Sequence, residues 1–239
     1  MPKRGVVNLE DKLLLIRNYN LWSHLTDEEY EELNLVHRYM EAKKGDYIYF
    51  DPESLSKLFF IKEGYISLGY VNDQGEEVVR EIIREGEIFG QFTTTRQEMP
   101  GEFARAHKSD VSLCAFNVAD FEKILAKKPN LAIGFSRQVG QRLRQMENRL
   151  MNLLNRDVRE RLLGFLIQLS QGYGEKNGDG SIVIENCFTH EDIAQMIASS
   201  RQTVTTLIRQ LAAKGLVQWD RTTIRIPDVK NLQKELNVA

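Results

Sequence analysis

The spacing of apolar positions changes near residue 43, and the change separates two kinds of predicted structure. Residues 8–40 carry apolar side chains at helical spacing, so this stretch is predicted to be helical. From there to residue 116, short apolar runs alternate with glycine-containing turns, a pattern typical of an antiparallel sandwich or jelly roll. The predicted strands cover residues 47–50, 58–61, 65–71, 78–83, 88–89 and 111–116, with a hairpin turn at 72–75.

A long amphipathic helix is predicted to begin at Pro129, after a short helix over 120–125. Its apolar residues follow one another at intervals of 3 or 4, close to the 3.5-residue repeat of a coiled coil. A helix of about 28 residues would be about 42 Å long. That length exceeds what packing on a single small domain requires, so the repeat favours a seam between two copies of the chain. The predicted seam consists of Leu131, Phe135, Val139, Leu143, Met146, Leu150 and Leu153.

The pattern of apolar and capping residues over 188–217 predicts two short helices joined by a tight turn. Thr189 is placed to cap the first helix, Ser199 or Ser200 to cap the second, and Gly215 to end it. Ala194 is small at the point where the helices would cross. A helix over 156–171, a loop over 172–180 and a strand over 181–185 are predicted before them, and strands over 217–219 and 224–226 after them. The whole pattern indicates a winged helix-turn-helix.

The second helix of this pair exposes side chains suited to DNA. Arginine can bond bidentately to guanine and glutamine to adenine, whereas hydroxyl groups and a helix N-terminus suit phosphate oxygens. An ordinary helical hairpin with a solvated polar face is the alternative, and the caps, Ala194 and the following hairpin count against it. The predicted DNA contacts are Thr189, Ser199, Ser200, Arg201, Gln202, Thr203, Thr205, Thr206, Arg209, Arg221 and Thr222.

Composition agrees with a folded protein of one large or two modest domains. The chain has 239 residues, of which 42% are hydrophobic and 28% charged. Its net charge of −2 conceals an asymmetry, because residues 1–128 carry −6 and residues 129–239 carry +4. A basic C-terminal half is consistent with an acidic partner. No apolar run approaches the roughly 18 residues of a membrane helix, and a cytoplasmic location is expected.

Candidate chemistry for an enzyme or a metal centre is sparse. The sequence has two cysteines, Cys114 and Cys187, too few for an iron–sulfur cluster or a disulfide framework. His107 is the single histidine between residues 43 and 117, so a jelly-roll metal enzyme is not expected. The chain also has no nucleophile motif and no phosphate-binding glycine loop. These observations predict no catalytic residues and no metal ligands.

The sequence resembles the Crp–Fnr family of bacterial transcription regulators. Residues 43–50, 58–64 and 86–90 are similar to the family's cyclic-nucleotide-type β-roll, and 188–217 to its winged helix-turn-helix. The resemblance implies an α+β fold: a β-roll or jelly-roll sensor domain over 1–128, a dimerisation helix over 129–157 and a DNA-binding domain over 158–239. It also implies a homodimer on a pseudo-palindromic promoter site, acting as an activator through RNA polymerase.

The predicted effector site departs from that family. Members that bind cyclic AMP hold its phosphate with a Gly-Glu pair and a later Arg-Ser pair, whereas here Gly90 precedes Gln91 and residues 100–105 contain no Arg-Ser. Cyclic AMP is therefore not expected, and neither is haem, for which His24, His37, His107 and His190 qualify by residue type alone. An unknown small effector, or none, is left open. The candidate pocket residues are Gly90, Gln91, Arg105 and Met146.

The recognition helix also departs from the family's usual Ser-Arg-Glu-Thr-Val. Gln202 replaces a carboxylate that accepts from cytosine, and Thr206 replaces an arginine, so an unusual half-site is expected. The competing hypothesis is a sensor module that regulates a partner protein without touching DNA. Replacement of Arg201 by alanine separates the two, because the sensor module has no DNA binding to lose.

Overall fold

The computed structural model describes residues 37–50, 56–92 and 100–237. The chain divides into two compact units, one that ends at Arg142 and one that begins at Leu143. The division falls within a long helix, which therefore contributes residues to both units. An antiparallel sheet in the first unit and a helical second unit confirm the predicted α+β class.

The first unit is built on an antiparallel sheet of β1 to β6. Strands β6 and β3 form its centre, with β1 and β2 paired to β6, and β4 and β5 paired to β3. The strands are β1 (His37–Ala42), β2 (Tyr47–Phe50), β3 (Lys57–Val71), β4 (Glu77–Arg84), β5 (Ile88–Gly90) and β6 (Glu102–Asn117).

Strand β3 is buried on both of its faces, which explains its nearly continuous apolar run. Phe59 and Ile61 belong to a core made up of side chains from the strands of this sheet. Leu58 and Phe60 belong to a second core, which is covered by two helices, α1 (Val118–Lys127) and the first part of α2 (Pro129–Asn155). The helices contribute Phe121, Leu131 and Phe135 to that second core.

The predicted division into separate strands over 58–61 and 65–71 is wrong, because Lys57–Val71 is one continuous strand that runs through Gly64. Gly64 has φ +88°, and the pairing of β3 with β6 shifts register on either side of Glu63. A Cβ atom at Gly64 would lie 2.5 Å from the carbonyl oxygen of Asp110. This glycine therefore accommodates a bulge in a long strand, where its left-handed backbone and its missing side chain are both required.

Three other predictions of secondary structure need correction. Most of the predicted helix over 8–40 lies outside the described residues, but its last part belongs to strand β1. Strand β6 begins at Glu102, well before the predicted start at residue 111. The predicted loop over 172–180 contains the short strand β7 (Glu175–Lys176), which pairs with β8 (Ile182–Glu185).

The second unit packs helices on a small antiparallel sheet. The sheet has the order β7, β8, β10 (Thr223–Ile226) and β9 (Gln218–Trp219). Its core includes Leu162, Ile193, Val204 and Ile224, each drawn from a different element. The helices beyond α2 are α3 (Val158–Tyr173), α4 (His190–Met196), α5 (Arg201–Ala213) and α6 (Val229–Asn237).

Helix α2 has the predicted length, with 27 residues, but its predicted seam divides into two parts. Leu131 and Phe135 are buried in the core of the first unit, with Val139 packed against that core. Leu143, Met146 and Leu150 are exposed. Because the first three positions already pack within the chain, the seam positions still open to a partner lie on the later part of α2. Leu154 is 70% exposed and Leu153 is half-buried, so the exposed row ends at residue 154.

Candidate nucleic-acid interface

Helix α4 begins with a reciprocal cap at Thr189. The Thr189 hydroxyl accepts from the backbone N–H of Asp192, and the Asp192 carboxylate accepts from the backbone N–H of Thr189. Two backbone donors that would otherwise lack partners are thereby satisfied. Asp192 is buried, whereas Thr189 is exposed beside it. The predicted cap is confirmed, and the hydroxyl of Thr189 serves it.

The turn between α4 and α5 is closed by backbone bonds and a left-handed residue. Ala198 has φ +52°, an uncommon conformation for a residue with a side chain. The backbone N–H of Ser199 then donates to the carbonyl of Ala194 at 2.8 Å. Ser200 is the cap of α5, because its hydroxyl accepts from the backbone N–H of Thr203 at 3.1 Å. The choice between Ser199 and Ser200 is thus resolved in favour of Ser200.

Two arginines hold the carbonyl groups at the end of α4, a role that the sequence pattern does not indicate. Arg161 on α3 donates to the carbonyls of Ile197 and Ala198 at 2.8 and 3.1 Å. Arg149 on α2 donates to the carbonyl of Met196 at 2.7 Å. Carbonyls at a helix C-terminus lack partners within the helix, so these guanidinium groups fix the turn that orients α5. Sequence spacing carries no signal for such contacts between distant helices.

Helix α5 separates a buried face from an exposed one as predicted. Val204, Ile208 and Leu211 are buried in the core. Arg201, Gln202, Thr206 and Arg209 are exposed, and Thr205 is half-buried. Positions four residues apart share one side of a helix, so this set forms a continuous polar surface that begins at the capped end. The surface presents two arginines and a glutamine, the groups best suited to guanine and adenine.

The threonines of α5 have less free hydrogen-bonding capacity than their sequence implied. The Thr205 hydroxyl donates to the carbonyl of Arg201 at 2.8 Å, and the Thr206 hydroxyl donates to the carbonyl of Gln202 at 3.0 Å. The Thr203 hydroxyl lies 2.8 Å from that of Ser200. A hydroxyl has one proton, so Thr205 and Thr206 cannot also donate to DNA while these bonds persist.

The β9–β10 hairpin forms the predicted wing, and Asp220 organises its tip. The carboxylate accepts from the hydroxyl of Thr223 and from the backbone N–H groups of Thr222 and Thr223, at 2.7 to 2.8 Å. These bonds hold the pKa of Asp220 well below its usual range. Asn186 anchors the tip by donating to the carbonyl of Asp220 at 2.7 Å. Arg221 and Thr222 are exposed at this fixed tip.

Comparison with known proteins assigns both parts of the chain. A Crp-like helix-turn-helix domain matches residues 160–235, and a cyclic nucleotide-binding domain matches residues 39–128. The global nitrogen regulator of Nostoc sp. is 28% identical over 189 residues, which cover 79% of this chain and 84% of that protein. The chain belongs to the Crp–Fnr family of transcription regulators. The matched residues include the capped helices, the turn and the wing described above.

Two solved structures show the same fold. A Crp/Fnr family transcriptional regulator from Thermus thermophilus is 26% identical, covers 84% of this chain and 99% of its own, and gives a TM-score of 0.61. A CooA mutant from Carboxydothermus hydrogenoformans is 22% identical, covers 98% of each chain and gives a TM-score of 0.73. The predicted family, fold class and regulatory function are thus confirmed, and the sensor module without DNA binding is not favoured.

Two of the predicted pocket residues, Gly90 and Arg105, pair with positions far apart along β3. Gly90 pairs with Leu58, whereas Arg105 pairs with Ser67, nine residues further along that strand. Gly90 has φ +98°, and the backbone N–H of Gln91 donates to the carbonyl of Lys57 at 3.0 Å.

Arg105 is the cation nearest in sequence to the missing Arg-Ser pair, and its side chain has partners within the first unit, the β domain. Its guanidinium group lies 2.6 Å from the Glu77 carboxylate and over the rings of Tyr47 and Phe103. Met146 lies on α2 in the second unit and is exposed. The prediction of a pocket at Gly90, Gln91, Arg105 and Met146 thus remains untested, with Arg105 already neutralised by a carboxylate.

Arg142 is a further residue of the Crp–Fnr β domain that sequence reasoning missed. It donates to the Glu81 carboxylate at 2.7 Å and to the carbonyl of Ile88 at 3.0 Å, and so ties α2 to strands β4 and β5. Within the described ranges, no group of three or more metal-ligating side chains comes together. No helix in the same part of the chain is long and apolar enough to span a membrane.

Proposed function

We propose that this protein acts as a homodimer on pseudo-palindromic promoter sites, with one α5 helix in each major groove. The exposed apolar row on the later part of α2 carries the proposal. Leu143, Met146, Leu150 and Leu154 recur at intervals of 3 or 4 residues, and each is between 47% and 70% exposed. Full burial of one such side chain is worth about 1.5–3 kcal/mol, so pairing two copies of the row is strongly favourable.

A dimer of this kind reads DNA with twofold symmetry. In the proposed complex Arg201, at the start of α5, bonds guanine, and Gln202 bonds adenine at one symmetric pair of positions. Ser200, Thr203 and the N-terminus of α5 suit a phosphate, and Arg221 on the wing suits another. Half-sites about one helical turn apart follow from the geometry of such dimers.

Regulation without cyclic AMP is the second part of the proposal. A buried phosphate requires a cation, and the pairing of Arg105 with Glu77 supports the view that Arg105 does not supply it. Haem and iron–sulfur clusters are likewise not part of the proposed mechanism. Burial raises the pKa of the Cys114 thiol to about 12, which disfavours the thiolate that a cluster needs. An unidentified small effector is compatible with the proposal.

We further propose action by binding rather than catalysis, as an activator that recruits RNA polymerase. The relatives named above are regulators, and this supports a role in which the protein positions other molecules on DNA. The activator role follows the family resemblance.

Sedimentation of the purified protein, with and without a DNA duplex, tests the dimer. Leu150→Asp places a charge in the exposed row, whereas Asn148→Asp places the same charge on the opposite side of α2, where Asn148 is exposed. We expect wild type and Asn148→Asp to be dimers, and Leu150→Asp to be a monomer that binds DNA at least tenfold more weakly. A monomeric wild-type protein, or equal dimerisation of both variants, would contradict the proposal.

A further inference from the structure

His190 joins α4 to two other elements of the DNA-binding domain. It is the first residue of α4, and its Nδ1 atom lies 2.8 Å from the Thr205 hydroxyl oxygen on α5. Its ring also meets the ring of Trp219 on β9 edge-on, with centroids 6.0 Å apart. The histidine is half-buried among these elements. It is therefore placed to hold α5 relative to α4 and the wing.

The bonds around Thr205 fix which atoms carry protons. The Thr205 hydroxyl donates its single proton to the carbonyl of Arg201 at 2.8 Å. It can therefore only accept from His190, so Nδ1 of the imidazole carries the hydrogen and donates it. In the neutral ring Nε2 is then unprotonated. Both hydrogen-bonding partners of the Thr205 hydroxyl lie within the protein, so the hydroxyl has no proton left to donate to DNA.

The remaining group of Thr205 is its γ-methyl. Thr205 lies on the same side of α5 as Arg201 and Arg209, which are exposed and face the proposed DNA groove. A threonine methyl makes apolar contact with the C5-methyl group of thymine. A hydroxyl that was free to rotate would instead bond several bases without preference, because serine and threonine hydroxyls pair with donors and acceptors alike.

We propose that His190 is a positioning residue that makes Thr205 read thymine through its methyl group. The Nδ1–H bond holds the hydroxyl turned back towards α4, which leaves the methyl as the group offered to the base. The inference rests on the proposed role of α5 as the DNA-reading helix. It adds a residue outside α5 that determines specificity at one base pair.

The ionisation of His190 is consistent with this role. Burial, with the positive charges of Arg201 and Arg209 on α5, lowers the pKa of the imidazole. Its own helix adds the carboxylates of Glu191, which is exposed, and Asp192, which is committed to the cap. At neutral pH the ring is therefore uncharged. Protonation would occur at Nε2 and would leave the bond from Nδ1 to Thr205 in place.

The test compares a selected duplex with one in which deoxyuridine replaces each thymine of the half-site in turn. Uracil differs from thymine only by the missing methyl group. For wild type, we expect a loss of about fourfold in affinity at one thymine of the substituted half-site, which corresponds to the burial of one methyl group. Thr205→Val keeps the methyl shape and should keep that loss, whereas Thr205→Ser removes the methyl and should abolish it.

Variants of His190 separate positioning from general stability. An asparagine amide can occupy the place of Nδ1 and donate to Thr205, so His190→Asn should retain the response to deoxyuridine, whereas His190→Ala should lose it. Gln233→Ala, at an exposed position on α6 outside the predicted DNA contacts, is the control and should respond like wild type. The proposal is overturned if His190→Ala responds like wild type, or if Thr205→Val behaves like Thr205→Ser. A wild-type protein that binds no duplex overturns the proposed function itself, which is a distinct result.

Discussion

The helix caps of the DNA-binding domain and two cations of the β domain find their polar partners at different distances along the chain. In the former, Thr189 with Asp192 and Ser200 with Thr203 bond over three residues of sequence, and these bonds build helix ends. In the β domain, Arg105 is neutralised by Glu77, and Lys43 by Asp110, across long stretches of chain. Local bonds leave the exposed face of α5 available for DNA. The long-range pairs instead occupy the cation that an anionic effector would need.

The largest expected effect on DNA affinity distinguishes Arg201 on α5 from Arg105 in the β domain. Arg201→Ala should weaken binding to the selected DNA site by about 1–3 kcal/mol, because a bidentate contact to guanine is lost. Arg105→Ala, in the β domain, should leave the affinity unchanged within twofold. Fluorescence anisotropy with one labelled duplex at fixed salt measures both variants. Equal losses in the two would mean that the β domain contributes to DNA contact.

The local cap at Ser200 offers the next largest effect. Ser200→Ala removes the oxygen that accepts from the backbone N–H of Thr203, and should lower the free energy of unfolding by about 1 kcal/mol. Ser200→Asp keeps an acceptor at this position and is the matched control for stability. Urea denaturation followed by tryptophan fluorescence measures the change. An unaltered midpoint for Ser200→Ala would show that the cap is not needed to form α5.

The left-handed turn residue Ala198 predicts a gain in stability. The left-handed conformation raises the conformational free energy of a residue with a Cβ atom by about 1–2 kcal/mol, and glycine avoids this cost. Glycine loses more backbone entropy on folding, by about 0.4–1 kcal/mol, so Ala198→Gly should stabilise the domain by roughly 0.5–1 kcal/mol. Thermal unfolding measures this, with Gln210→Gly at an exposed position inside α5 as a control that should destabilise. A destabilised Ala198→Gly variant would contradict the claim that the backbone of Ala198 is strained.

Acid should act on the wing through Asp220, with the smallest expected effect. Hydrogen bonds from Thr223 and Thr222 hold the pKa of Asp220 below its unfolded value of 3.8, so its stabilising contribution is present above that pH. The contribution is lost as the pH falls through the folded pKa. Asp220→Asn should therefore lower stability at pH 7 but reduce the further loss between pH 4 and pH 2. Urea midpoints across this range measure it, and parallel curves for wild type and variant would refute it.

Sequence patterns predicted the parts of the molecule that depend on near neighbours. The caps at Thr189 and Ser200, the buried face of α5 and the glycine at 215 all follow from residues a few positions apart. The pairs Arg149–Met196 and Arg105–Glu77 join distant segments, and no local pattern indicates them. The division of β3 at Gly64 was predicted wrongly for the same reason, since the bulge there depends on strand β6, about 45 residues away.

The seam of α2 shows the same limit within one helix. The heptad-like spacing predicted an apolar stripe, and the stripe is present. Which protein surface covers it depends on the first unit, whose core takes Leu131 and Phe135 and leaves Leu150 exposed. A periodic pattern establishes that a face must be buried, and tertiary packing determines what buries it.

Selection of DNA from a random pool by the purified wild-type protein, with no ligand added, tests the central claim most directly. We predict enrichment of a twofold symmetric site whose half-sites lie about one helical turn apart. Adding cyclic AMP should change neither the enriched sequence nor its affinity. Failure to enrich any symmetric site, or enrichment that appears only with cyclic AMP, would contradict the account.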